Sequence, residues 1–132
     1  MTRRIAHVDD DSDIRDAVSR ILTKNGYELT SYLTMQDFIN SLDDGANLPD
    51  LAILDVMVES MDAGLTTYAQ VHERFPQIQV IFLTSLGDMI KPYFDDDKHE
   101  WVCILEKPVE PKSLLETIRD RLADTGSAEK SV

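Results

Sequence analysis

Short apolar runs at 5–8, 27–32, 51–54, 79–83 and 101–105 alternate with stretches whose apolar residues recur at helical spacing. The sharpest run is Leu51-Ala52-Ile53-Leu54, unbroken between Asp50 and Asp55. A run of this length, bounded by turn residues and carrying no polar alternation, predicts a strand buried on both faces, as in a parallel sheet. The 27–32 run is weaker.

Between these runs, Ile14, Ala17, Val18, Ile21 and Leu22 mark one face of a helix. Asp11 or Ser12 can cap its start, and Asn25-Gly26 ends it. Thr34 caps a shorter helix carrying Met35, Phe38, Ile39 and Leu42. Leu65, Tyr68, Ala69, His72 and Phe75 mark a third, stopped by Pro76. Pro111 suits the first turn of a last helix with Leu114, Leu115, Ile118 and Leu122 inward. Residues 43–50 and 56–64 read as loops. A helix is expected by alternation within 86–100, where Pro92 would break or displace it.

Five strands alternating with helices predict a doubly wound α/β fold, a parallel sheet covered on both faces with right-handed crossovers. Residues 1–122 then form one domain. Residues 123–132 are polar and lack periodicity, the pattern of a frayed tail or the start of a linker.

Composition narrows the class. A hydrophobic content of 42% in 132 residues suffices for one ordinary core, and no apolar run reaches membrane-spanning length. The amino terminus runs into a strand without the features of a signal peptide, and Cys103 is the only cysteine, which together point to a cytoplasmic protein. Cys103 reads as a buried thiol. The net charge of −12 argues against direct nucleic-acid binding, which needs clustered Lys and Arg.

In a parallel sheet, Asp9, Asp10, Asp55, Thr84 and Lys107 all fall at carboxyl ends of strands and can share one crevice. Three adjacent carboxylates call for a hard cation, and Mg²⁺ suits a site that offers a few carboxylates and keeps waters. A lysine and a hydroxyl beside them add donors for an anion. Such a set is suited to phosphoryl transfer with one carboxylate as nucleophile.

The sequence here resembles the receiver (CheY-like) domains of two-component response regulators, over roughly residues 4 to 122. The resemblance rests on Val8-Asp9-Asp10-Asp11, Leu54-Asp55 ahead of Met61-Asp62, Phe82-Leu83-Thr84-Ser85 and Glu106-Lys107-Pro108. It implies a flavodoxin-like strand order, 2-1-3-4-5, an order this family exemplifies. It implies that Asp55 is the phosphoacceptor, taking a phosphoryl group from a histidine kinase or phosphotransfer protein. Asp9, Asp10, Asp55 and the backbone carbonyl of Met57 would hold Mg²⁺, and Lys107 and Thr84 would contact the phosphoryl oxygens. Pro108 would follow a cis peptide bond. The downstream target stays unspecified, as do homodimerisation and whether the chain stands alone or belongs to a longer regulator.

Some positions depart from the family pattern. Glu59 replaces a usual proline, and Ala63 lengthens the same loop. Ile104 stands where many members carry Tyr or Phe, and Pro92 with Asp95-Asp96-Asp97 falls on the usual fourth helix.

Asp9, Asp11 and Asp13 mimic a calcium loop, but Ile14 and Arg20 occupy its glycine and glutamate positions. His7, His72 and His99 have no metal-ligand spacing; they read as a satisfied core residue, a partly buried helix residue and a surface residue. Met57, Met61 and Trp101 read as packing residues. An aspartyl-phosphate hydrolase would need a second carboxylate where Met57 stands, and a flavin carrier would need a Ser/Thr/Gly-rich phosphate loop after the first strand. A receiver-like interaction domain that takes no phosphate is the remaining alternative. The reading adopted is a signalling switch with slow self-catalysed chemistry, not a turnover enzyme.

Overall fold

The computed structural model describes residues 3–43, 48–55, 69–85, 102–107 and 109–130. Their strands are β1 (Arg4–Val8), β2 (Glu28–Tyr32), β3 (Leu51–Leu54), β4 (Gln79–Thr84) and β5 (Val102–Glu106). They form one sheet in the order β2-β1-β3-β4-β5, with every pairing parallel. The expected fold class and strand order are both present. Each strand lies within a residue of its expected bounds.

Parallel strands need crossovers, and the helices between them cover both faces of the sheet. On one face, Ala6, Val8, Ala52, Leu54, Val80 and Phe82 pack under helix α2 (Met35–Leu42) through Met35, Phe38 and Leu42. Val71 and Ile78 complete this layer. On the other, Ile5, Leu51, Ile53, Ile81 and Leu83 meet α1 (Ser12–Lys24) through Val18 and Leu22. The C-terminal helix (Pro111–Lys130) adds Leu114, Ile118 and Leu122 to that face. Alternate residues of each central strand therefore serve opposite layers. All four residues of β3 are buried, as an unbroken apolar run requires.

Helix α1 shows how local sequence sets its limits. The Asp11 carboxylate accepts from the N–H groups of Asp13 and Ile14, satisfying donors that a helix start leaves open. At the other end, Tyr27 N–H donates to Leu22 O (3.0 Å) and Gly26 N–H to Thr23 O (3.2 Å). This crossed pair is the Schellman arrangement, which requires a left-handed residue; Gly26 supplies it with φ +88°.

The C-terminal helix runs past Leu122, the last of its expected inward residues, to Lys130. No proline interrupts residues 123–130, and each added residue gains a backbone hydrogen bond on a helix already nucleated. In the helix described over 69–74, Ala69 is exposed and Val71 is the buried residue, with His72 and Phe75 partly buried. Val71 in this helix and Phe75 and Ile78 just beyond it are the residues that reach the core. Residues 56–68 and 86–101 lie outside the described residues, and with them the expectations for Met57, Glu59, Met61, Asp62, Ala63, Leu65, Tyr68, Pro92, Asp95 to Asp97, His99 and Trp101. Pro108 does too. No described helix is long and apolar enough to cross a membrane.

Candidate functional site

On β1, β3 and β5 the ladder continues one residue past the strand, and that residue is a site residue. Asp9 N–H donates to Tyr32 O (3.1 Å), Asp55 N–H to Val8 O (3.1 Å) and Lys107 N–H to Thr84 O (2.9 Å). Backbone pairing thus fixes where Asp9, Asp55 and Lys107 leave the sheet. By strand alternation all three share the face of Ile5, Ile53 and Leu105, while Thr84 has the opposite parity. Asp9 and Asp55 are level on neighbouring strands, since Val8 pairs with Leu54.

Lys107 starts on β5, separated from β3 by β4. Adjacent strands lie about 4.8 Å apart, so its ammonium must span roughly 10 Å. It does so over the end of β4. Nζ donates to Asp55 Oδ2 at 2.9 Å and stands 3.0 Å from Asp9 Oδ2. The second contact is an ion pair off hydrogen-bonding directions, and Asp9 Oδ2 has no hydrogen-bond donor. Only a long, unbranched cation reaches both carboxylates from that edge.

Asp9 is fully buried and Asp55 nearly so, whereas Asp10 is exposed. Asp9 Oδ1 accepts from Asp11 N–H (2.9 Å), and its backbone carbonyl accepts from Arg15 Nη1 (2.8 Å). Burial alone would raise the Asp9 carboxyl. The His7 imidazole, the Asp11 N–H and Lys107 outweigh it, so the group is held below its ordinary value. At 3.8 Å the His7 contact is electrostatic and not a formed hydrogen bond. For Lys107, burial acts downward, and Asp55 and then Asp9 hold the ammonium above its ordinary value. Both shifts favour the charged pair.

The carboxylates of Asp9, Asp10 and Asp55 each offer an oxygen within 4.8 Å of the others. Three carboxylates thus converge beside the Lys107 ammonium. Exposed Asp10 opens the cluster to solvent on one side. All-oxygen donors with access to water fit Mg²⁺, which binds through few carboxylates and retains waters.

Of the six predicted residues, five lie among the described residues and Met57 lies outside them. Asp9, Asp10, Asp55 and Lys107 meet. Thr84 is buried at the end of β4, joined to the site through the Lys107 backbone. Sequence reasoning passed over Arg15 and misjudged His7. The latter is buried as expected but not satisfied, since neither ring nitrogen has a hydrogen-bond partner. Its place two residues before Asp9, on the same face of β1, was the available signal.

An open parallel α/β sheet in the order β2-β1-β3-β4-β5, with an acidic crevice and a lysine at its carboxyl edge, defines a flavodoxin-like fold. The model of the response regulator receiver domain matches residues 5–119, and the chain belongs to that family. The transcriptional regulator NtrC of Klebsiella pneumoniae is 34% identical over 90 residues, 67% of this chain and 19% of its own length. The transcriptional regulatory protein GltR of Pseudomonas aeruginosa is 31% identical over 122 residues, 89% of this chain and 48% of its own. The chain thus spans less than half the length of either relative. The structure of a CheY-like receiver domain protein from Methanospirillum hungatei shares the fold, with a TM-score of 0.80 at 24% identity, covering 97% of this chain and 99% of that one.

Proposed function

We propose that this receiver domain accepts a phosphoryl group on Asp55 from the phosphohistidine of a partner kinase or phosphotransfer protein, with Mg²⁺ bound. The observation that carries the reading is the Lys107 ammonium bridging Asp55 and Asp9 at 2.9 and 3.0 Å across three strands. An Asp55 carboxylate oxygen attacks phosphorus, the P–N bond to the kinase histidine breaks, and an acyl phosphate forms on Asp55. Lys107, already against the reacting carboxylate, offers N–H donors and charge to the incoming oxygens. Thr84, at the end of the strand that Lys107 crosses, offers its hydroxyl.

Asp9, Asp10 and Asp55 would hold Mg²⁺ with the backbone carbonyl of Met57; when bound, the ion neutralises charge on carboxylates and phosphoryl oxygens. The product adds charge and acceptors beside β4 and β5, the basis for switching a protein-binding surface. Residues 1–122 would form the switching unit, with 123–132 as tail or linker.

The test is intact-protein mass after incubation with acetyl phosphate, with and without Mg²⁺, for the parent and Asp55→Asn. One Mg²⁺-dependent phosphoryl addition to the parent and none to the variant is expected. No addition to the folded parent would favour a phosphate-independent interaction domain.

A further inference from the structure

His7 is fully buried, with Nδ1 and Nε2 both lacking hydrogen-bond partners. It lies in β1 between Ser31 and Ile53, and by alternation it faces the layer of Ile5, Val18 and Ile53. An aliphatic residue there would leave no polar atom unmet, so the imidazole needs a reason. Its Nε2 faces Asp9 Oδ2 at 3.8 Å. That oxygen is itself buried without a hydrogen bond, while its twin, Oδ1, is held by the Asp11 N–H. Two unmet polar atoms therefore stand opposite each other, about 1 Å beyond bonding distance.

What currently compensates Asp9 Oδ2 is Lys107, and Lys107 is shared with Asp55 Oδ2. An acyl phosphate on Asp55 carries about −1.5 to −2 in charge and three acceptor oxygens. Lys107 drawn onto those oxygens can no longer face Asp9 as it does. With the metal then its countercharge, Asp9 Oδ2 still lacks a hydrogen-bond donor at its buried position unless another donor closes on it.

We infer that His7 is a positioning residue that donates its Nε2–H to Asp9 Oδ2 when Lys107 engages the phosphoryl group. An imidazole has at least one N–H in either charge state, and a side-chain torsion closes the gap. The bond holds the second oxygen of Asp9, keeping the carboxylate oriented toward the metal position as outer hydrogen bonds do for metal ligands. His7 takes part in no covalent step. The inference rests on the phosphoacceptor reading above.

The test uses the full chain with Mg²⁺ and beryllofluoride as the phosphoryl mimic, followed by ¹⁵N-resolved NMR of the imidazoles. A slowly exchanging Nε2–H signal of His7, bonded to a carboxylate, is expected with the mimic and absent without it. In parallel, the lifetime of phospho-Asp55 is compared in the parent, His7→Phe and His7→Gln. The phenylalanine variant should lose about tenfold in lifetime and the glutamine, which retains an N–H, should recover most of it. Mg²⁺ affinity of the unphosphorylated protein, read by calorimetry, should stay within about twofold of the parent in both, because Lys107 still compensates Asp9 there. A merely structural role would move affinity and lifetime together. An unchanged His7 signal with the mimic bound, or equal lifetimes in all three proteins, overturns the inference and leaves the phosphoacceptor reading intact. If the parent takes neither phosphoryl group nor beryllofluoride, that reading fails and the His7 role falls with it. Should His7→Phe not fold, the NMR signal of the parent decides alone.

Discussion

Lys107 is the residue on which the charge balance of the site turns. Its ammonium pairs with both Asp55 and Asp9, and its side chain is 18% exposed. Removing one partner of a fully buried pair costs about 3–5 kcal/mol. Discounted for this exposure, Lys107→Met should lower stability by about 2 kcal/mol in metal-free solution. Added Mg²⁺ should restore most of that loss, since it replaces the missing positive charge beside the same carboxylates. Urea denaturation of parent and variant, each with chelator or Mg²⁺, measures both effects. A loss that Mg²⁺ leaves unchanged would place the role of Lys107 in packing. The sequence made Asp9, Asp55 and Lys107 legible because strand ends are fixed by apolar patterning, and parallel strands end on one side. His7 was not legible. Its unmet nitrogens depend on rotamer and on the identity of lateral neighbours, Ser31 and Ile53, which a linear pattern does not supply.

Element limits follow from backbone hydrogen bonds more than from side-chain pattern. Gly26, at φ +88°, ends α1, and a Cβ built there meets nothing within 4 Å. Gly26→Ala is therefore strained by conformation without any clash, and should cost about 1–2 kcal/mol. Thermal or urea unfolding of the variant checks this, and an unchanged midpoint would mean that the left-handed turn carries no strain. Asn25-Gly26 was readable because a left-handed end selects glycine. The other end of the chain was not, for a related reason. Apolar periodicity reports the buried stripe, which closes with Leu122. The backbone ladder of the last helix runs on to Lys130 without an apolar stripe to announce it. Likewise β2, an edge strand with only Leu29 and Tyr32 partly buried, carries a faint pattern because a strand with one lateral partner has less to bury.

At the scale of the whole molecule, two shifted groups set a pH window. Asp9 is depressed, so its contribution is present above the ordinary value of 3.8 and is lost as pH falls through its lower folded value. Lys107 is raised, so its contribution is complete below the ordinary value of 10.5 and is lost as pH climbs through its higher folded value. The pair therefore supports the metal-free fold throughout the interval between them. Stability measured by urea across that interval should fall on both sides of it, and Asp9→Asn should blunt the acid side. An acid limb unchanged in Asp9→Asn would assign acid unfolding to other carboxylates. Fold class was legible at this scale because both faces of a parallel sheet must be covered, whereas the strand order came only from the family resemblance, since apolar patterning does not say which strands are neighbours.

The span of Lys107 across β4 has a consequence for how the sheet is completed. Asp55 and Lys107 are 52 residues apart in sequence, and β4 must be seated before the lysine can cross it. A half-built sheet of β1, β2 and β3 would carry Asp9 and Asp55 side by side with no countercharge, and would be penalised by their repulsion. Docking of the last strand removes that repulsion and closes the hydrophobic layers in the same event. Partly assembled forms are thus disfavoured by the very carboxylates that the finished molecule uses, which sharpens folding toward an all-or-none transition.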